Sequence, residues 1–200
     1  MKWMTKTKLK AMVRVAIMLP MAVAWAQSPQ AMQIDTQRSV MKVHVFKTGL
    51  FSALGHDHVI SAPIEAGTIS EDPAMVELSV AVKKMKVEDA DVSEKDRAEI
   101  QSNMLGAKVL DSERFPEIRF RSTRVQKLKD DQWQAEGELS LHGQSRPVTL
   151  MVRRENGVYK GSTELKQKDF GITPPSGGGG AVKTKNELRV EYEIYIKTSP

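Results

Sequence analysis

Four histidines and no cysteine define the metal and nucleophile chemistry open to this 200-residue chain. Two of the histidines sit in Gly55-His56-Asp57-His58. Imidazoles at i and i+2 on one strand face can chelate one divalent ion, with the intervening Asp57 turned to the opposite face. His142 could supply a third nitrogen by folding. The same three groups, His56, Asp57 and His58, could instead hydrogen-bond backbone at an open end of a fold. They could also grip the polar head of an amphiphile. Without cysteine there is no thiol nucleophile, thiolate metal site, iron–sulfur ligation or disulfide. There is no Gly-x-Ser-x-Gly elbow and no His-Glu-x-x-His. Ser61 lies near the histidines, but nothing in the sequence activates it. The carboxylate pairs Asp89/Asp91 and Asp130/Asp131 lie in polar stretches and read as solvated. Catalytic constellations are therefore thin, and no residue pattern calls for a cofactor.

The elements that must position these residues follow a leader-like segment. Lys2, Lys6, Lys8, Lys10 and Arg14 precede an apolar stretch, Val15 to Ala24, and Ala24-Trp25-Ala26 is a small-x-small site. This is the pattern of a cleavable secretory signal over residues 1–26, and it implies a periplasmic protein. The formal net charge of +5 comes entirely from that segment: removing its five bases leaves 30 − 5 = 25 bases against 25 acids. A balanced, interspersed charge carries no electrostatic footprint for nucleic acid. No later stretch is long and apolar enough for a membrane-spanning helix.

From residue 39 onward the hydrophobic period is two. Met41, Val43 and Val45 alternate with Lys42, His44 and Phe46. Val76, Leu78, Val80 and Val82 form another apolar face, and Ile118, Phe120 and Ser122 alternate with arginines. The stretches Trp133–Leu141, Val148–Val152, Tyr159–Leu165 and Leu188–Ile196 repeat the pattern. Seven or eight strands, each with one apolar face, predict an antiparallel sheet closed as a barrel or stacked as a sandwich. Val92–Met104 breaks the period. It is charged, and Ser93 stands as an N-cap with Asp96 three residues on, which predicts one helix. Gly137, Ala135 and Gly161 fall on apolar faces. They leave room for a ligand, or else mark bends.

Several motifs then carry a family resemblance. In order they are Ile34-Asp35 with Ser39-Val40, and Gly49-Leu50-Phe51-Ser52. Next come Phe115-Pro116-Glu117-Ile118-Arg119-Phe120-Arg121-Ser122-Thr123, and the hairpin Gly137–Gly143 with Arg146-Pro147-Val148. Last is Lys168-Asp169-Phe170-Gly171-Ile172. Across nearly all of residues 27–200 the chain resembles the YceI-like family of exported lipid- or polyisoprenoid-binding proteins. Lys47 stands where members often carry histidine, and Gly55-His56-Asp57-His58 looks like a subgroup feature. Leu139-Ser140-Leu141 replaces the commoner Leu-Thr-Leu. These departures bear on the ligand and not on the fold.

The resemblance implies a single domain over 27–200. Its fold would be an all-β, lipocalin-like antiparallel eight-stranded barrel with one helix inserted around residues 92–105. It implies an exported carrier or sequestering protein for a long-chain amphiphile of polyisoprenoid, isoprenoid quinone or fatty acyl type. The expected interior wall is Met41, Val43, Val45, Leu78, Val80 and Phe120, followed by Gly137, Leu139, Leu141, Val148, Leu150, Leu165 and Phe170. His56, Asp57 and His58 would form a polar mouth. A homodimer is compatible with this reading. The competing reading is a metal- or haem-handling exported protein using His56 and His58.

Overall fold

Alternation of apolar and polar side chains builds one antiparallel sheet, because only one face of each strand can leave water. A computed structural model describes residues 31–49, 57–177 and 182–197. The expected leader, the Leu50-Phe51-Ser52 segment, His56 and the glycines 178–180 lie outside the described residues. The strands are β1 (Met32–Gln33), β2 (Val40–Thr48), β3 (His58–Ser61), β4 (Ile64–Glu71), β5 (Ala74–Ala81) and β6 (Lys86–Val87). Helix α1 (Glu94–Leu105) follows. Then come β7 (Glu117–Lys129), β8 (Gln132–Leu141), β9 (Gln144–Glu155), β10 (Val158–Lys166), β11 (Ser176–Gly177) and β12 (Val182–Ile194).

The hydrogen-bonded order is β1-β4-β5-β7-β8-β9-β10-β12-β2-β3-β6, with β11 pairing β12 off this path. Eleven strands therefore lie along the path, not the expected eight. Part of the difference arises at Ala62-Pro63. Proline has no N–H to give a ladder, and there the run from His58 to Glu71 divides. Its first part, β3, pairs β2, and its second, β4, pairs β5. The rest comes from β1 and β6, two residues each, too short for any alternation to announce them. The sheet is strongly curled. β1 pairs β4, and Ile34, next along the chain, bridges Ile196 just beyond β12.

Helix α1 starts two residues later than the expected 92. The Ser93 Oγ accepts the Asp96 N–H at 3.1 Å, which supplies a partner for one of the orphan donors of the first turn. Val92 itself is buried and leaves the helix. The side chain of Gln101 ties α1 to the sheet edge. Its Oε1 accepts the Val87 N–H and its Nε2 donates to the Met85 carbonyl, both at 2.8 Å. These two bonds satisfy edge groups that β6 leaves open on the side away from β3.

The core lies inside the curl, in two clusters. One, under α1, holds Val80, Val82, Met104, Leu110, Leu141 and Phe170. The other holds Ile34, Ile64, Tyr159, Val190, Tyr192 and Ile194.

Candidate functional site

The inward faces of β2, β5, β7, β8, β9, β10 and β12 surround a cavity of about 980 Å³. That is the upper end of the roughly 300–1,000 Å³ typical of small-molecule sites. Its wall includes Met41, Val43 and Val45 from β2, Leu78 and Val80 from β5, and Phe120 from β7. It also includes Leu139 and Leu141 from β8, Val148 and Leu150 from β9, and Leu165 from β10. These are eleven of the thirteen residues expected on the interior wall.

Gly137 and Phe170 are the two corrections. A Cβ on Gly137 would meet the Phe120 ring at 2.7 and 2.8 Å and press on the Arg121 carbonyl. The absent side chain makes room for an aromatic ring from the neighbouring strand. Gly161 follows the same rule: a Cβ there would meet the Tyr192 ring at 2.7 Å and its hydroxyl at 2.6 Å. Glycine opposite a flat aromatic lets the ring lie on the strand itself. Tyr192 Oη then donates to the Met151 carbonyl at 3.0 Å across Gly161, and burial pushes its phenol well above the ordinary tyrosine range. Phe170 lies in a 3₁₀ turn, Gln167–Phe170, and is packed solid at 2% exposure in the core beneath the cavity wall.

Alternation also missed wall residues. Between Ser122 and Arg124 the β7–β8 register shifts. A bulge reverses the phase of the strand, so Val125 lines the cavity with Trp133 and Tyr159. Ile60 and Ile69 line it from β3 and β4. Their strands carry the same β-branched signal, but they flank a proline and a bulge between Ile64 and Ala66 that hide the period.

One end of the cavity is a mouth. It is bounded by Ile100 and Met104 of α1, by the polar Asp96, Glu99 and Asn103 beside them, and by Lys47, His58, Lys183 and Thr184. His58 is held there by Asp89. The Nδ1–Oδ2 distance is 2.6 Å, and the second carboxylate oxygen accepts the Val59 N–H at 2.8 Å. Asp89 is therefore not a solvated loop carboxylate: its side chain is 1% exposed. With the carboxylate accepting from Nδ1–H, Nε2 is the His58 ring nitrogen that remains to meet another partner. Asp57 turns to the backbone, its Oδ1 accepting the Lys47 N–H at 2.7 Å. His142 does not join His58. Its Nδ1 lies 3.0 Å from the Phe170 carbonyl, and its ring meets Phe115 edge-on at 4.9 Å. Among the described residues no three of His, Cys, Asp and Glu gather into a group that could hold a metal ion.

The other end carries Glu71, Tyr159 and Trp133. Tyr159 Oη donates to Glu71 Oε1 at 2.5 Å, and Arg154 Nη1 donates to the same oxygen at 2.8 Å. Arg154 also donates to Asp131 Oδ1 from Nε at 2.9 Å and from Nη2 at 2.8 Å. Burial, and then the bond to Glu71, push the Tyr159 phenol up to about 12.

A family model described as the YceI-like domain matches residues 32–196. A UPF0312 protein of Vibrio cholerae is 25% identical over 174 residues, covering 82% of this chain and 88% of that protein. A UPF0312 protein of Pseudomonas putida is 26% identical over 186 residues, covering 88% of this chain and 93% of its own length. The fold is similar to the crystal structure of Burkholderia cenocepacia BcnA, with a TM-score of 0.59 at 15% identity over 82% of this chain and 99% of that one. It is also similar to a Campylobacter jejuni YCEI protein, with a TM-score of 0.50 at 11% identity over 70% and 82% of the two chains.

Proposed function

The chain belongs to the YceI-like domain family, and from that premise we propose that it binds a long-chain amphiphilic lipid inside its curled sheet, as an exported carrier or sequestering protein. The observation that carries this reading is the cavity: about 980 Å³, walled largely by aliphatic and aromatic side chains from most strands of the sheet. An apolar chain placed there leaves water at about 0.8 kcal/mol per methylene, so affinity needs few polar contacts. The curled sheet works as a lipocalin-like barrel, with the chain along its axis.

His58 faces the mouth with its ring fixed by Asp89, suited to one hydrogen bond with a polar head. The ligand class is polyisoprenoid, isoprenoid quinone or fatty acyl, and the protein acts by binding rather than by catalysis. The leader-like residues 1–26 support a periplasmic location, where an insoluble lipid needs a shielded carrier.

Organic extraction of the purified protein, followed by mass spectrometry, with metal analysis of the same sample, tests the reading. A stoichiometric long-chain lipid without stoichiometric metal is expected. Stoichiometric metal or haem and no lipid would overturn it in favour of the metal-handling alternative.

A further inference from the structure

Glu71 ends β4, while Arg154 and Tyr159 lie on β9 and β10. Along the sheet β4 and β9 are four steps apart, separated by β5, β7 and β8. At about 4.8 Å per strand, four steps would span roughly 19 Å if the sheet were flat. Yet Arg154 Nη1 reaches Glu71 Oε1 at 2.8 Å, and Tyr159 Oη reaches the same oxygen. These contacts are possible only if the three side chains cross the end of the curled sheet, opposite the mouth. Trp133 lies beside them, its ring 5.9 Å from that of Tyr159 and 5.6 Å from the Arg154 guanidinium.

The polar groups of this crossing bond to one another. Glu71 Oε1 takes two donors, the Tyr159 proton is spent on it, and Arg154 places two further donors on Asp131. The crossing therefore offers an incoming chain the faces of Tyr159 and Trp133, and ions that an apolar tail cannot displace without unpairing them.

We propose that the Glu71–Arg154–Tyr159 crossing is a closed floor that fixes the maximum length of the bound chain and admits only a tail whose far end is apolar. This rests on the lipid-binding reading and names what that site selects: a single-headed amphiphile, head at the mouth and methyl end on the floor. Burial and the bond to Glu71 hold the Tyr159 phenol above its ordinary range, so it remains a proton donor at neutral pH.

The test is binding of straight-chain fatty acids, lengthened stepwise, to the delipidated protein, by displacement of a fluorescent fatty-acid probe. Wild-type affinity should tighten by about fourfold per added methylene up to a limiting length and then weaken. Glu71→Ala and Arg154→Ala should each move that limit to longer chains. An α,ω-dicarboxylic acid of the optimal length should bind wild type more weakly than the monoacid. Glu71 and Arg154 side chains are both partly exposed, so at least one variant should fold, with circular dichroism as the check. If wild type shows a limit that neither folded variant moves, or binds the diacid as tightly, the floor does not select and the proposal fails alone. If wild type binds no fatty acid of any length, the floor proposal fails, and the lipid reading fails with it only if organic extraction also releases no long-chain lipid.

Discussion

Gly137 shows how a single missing side chain is used. In a ligand wall, Gly137→Leu would displace lipid and spare the fold. With Phe120 lying where the new side chain would go, it should instead lower stability by roughly 1–3 kcal/mol, read by chemical denaturation of delipidated protein. An unchanged stability with lost lipid would return Gly137 to the ligand wall. The Asp89 carboxylate has the opposite character, polar and fully engaged. Asp89→Ala removes the partner of His58 and leaves the Val59 N–H unsatisfied, at a cost of about 1–3 kcal/mol. His58→Ala should retain most of the bound lipid, since apolar burial supplies the affinity, and lipid mass per mole of folded variant checks it. Tyr159 gives a pH signature. Its phenol ionises near 10 in the unfolded chain and near 12 in the folded one. The folded state therefore holds the proton more tightly between those values, and stability present below pH 10 is lost as pH rises toward 12. Tyr159→Phe should flatten that part of the alkaline stability curve, measured by denaturation at a series of pH values.

At the scale of elements, helix α1 is held by the two Gln101 bonds as well as by packing. Among the described residues, two-residue β6 has a partner strand only in β3, and Gln101 supplies partners at its other edge. Gln101→Ala should speed hydrogen exchange at the Val87 amide well beyond that of β5 or β8, with α1 loosened at the mouth. Equal protection of Val87 in variant and wild type would show that the helix is held by the packing of Ile100, Met104 and Leu105. The bend at Ala62-Pro63 is the other decisive local feature. It lets one run of chain pair with β2 on one side and β5 on the other, which allows the sheet to curl.

For the whole molecule, a ligand that binds only the folded state stabilises it by mass action, about 2.7 kcal/mol at a free concentration one hundred times Kd. Delipidation should lower Tm, and titrating the extracted lipid back should restore it. A Tm indifferent to lipid would mean that the cavity is not the binding site. The export reading makes its own forecast: protein recovered from the periplasm should begin at Gln27, and intact-mass measurement showing Met1 retained would contradict it.

The period of two decided most of this protein before any coordinates. Met41, Val43, Val45, Leu78, Val80, Leu139 and Leu150 were assignable to the wall because burial on one strand face forces alternation. Ser93 with Asp96 marked the helix, because the cap is local chemistry. Where alternation is interrupted, the sequence lost the thread. The bulge in β7 hid Val125, Pro63 split one run into β3 and β4, and strands of two residues carry no period at all. Three further facts depend on which strands become neighbours or face each other. Phe120 covers Gly137 from the adjacent strand. Asp89 reaches back thirty-one residues to His58. Glu71 meets Arg154 across the end of the sheet, eighty-three residues away in sequence. No local pattern encodes such pairs, because their cause is the curl of the whole sheet, which brings distant strand ends within hydrogen-bond reach.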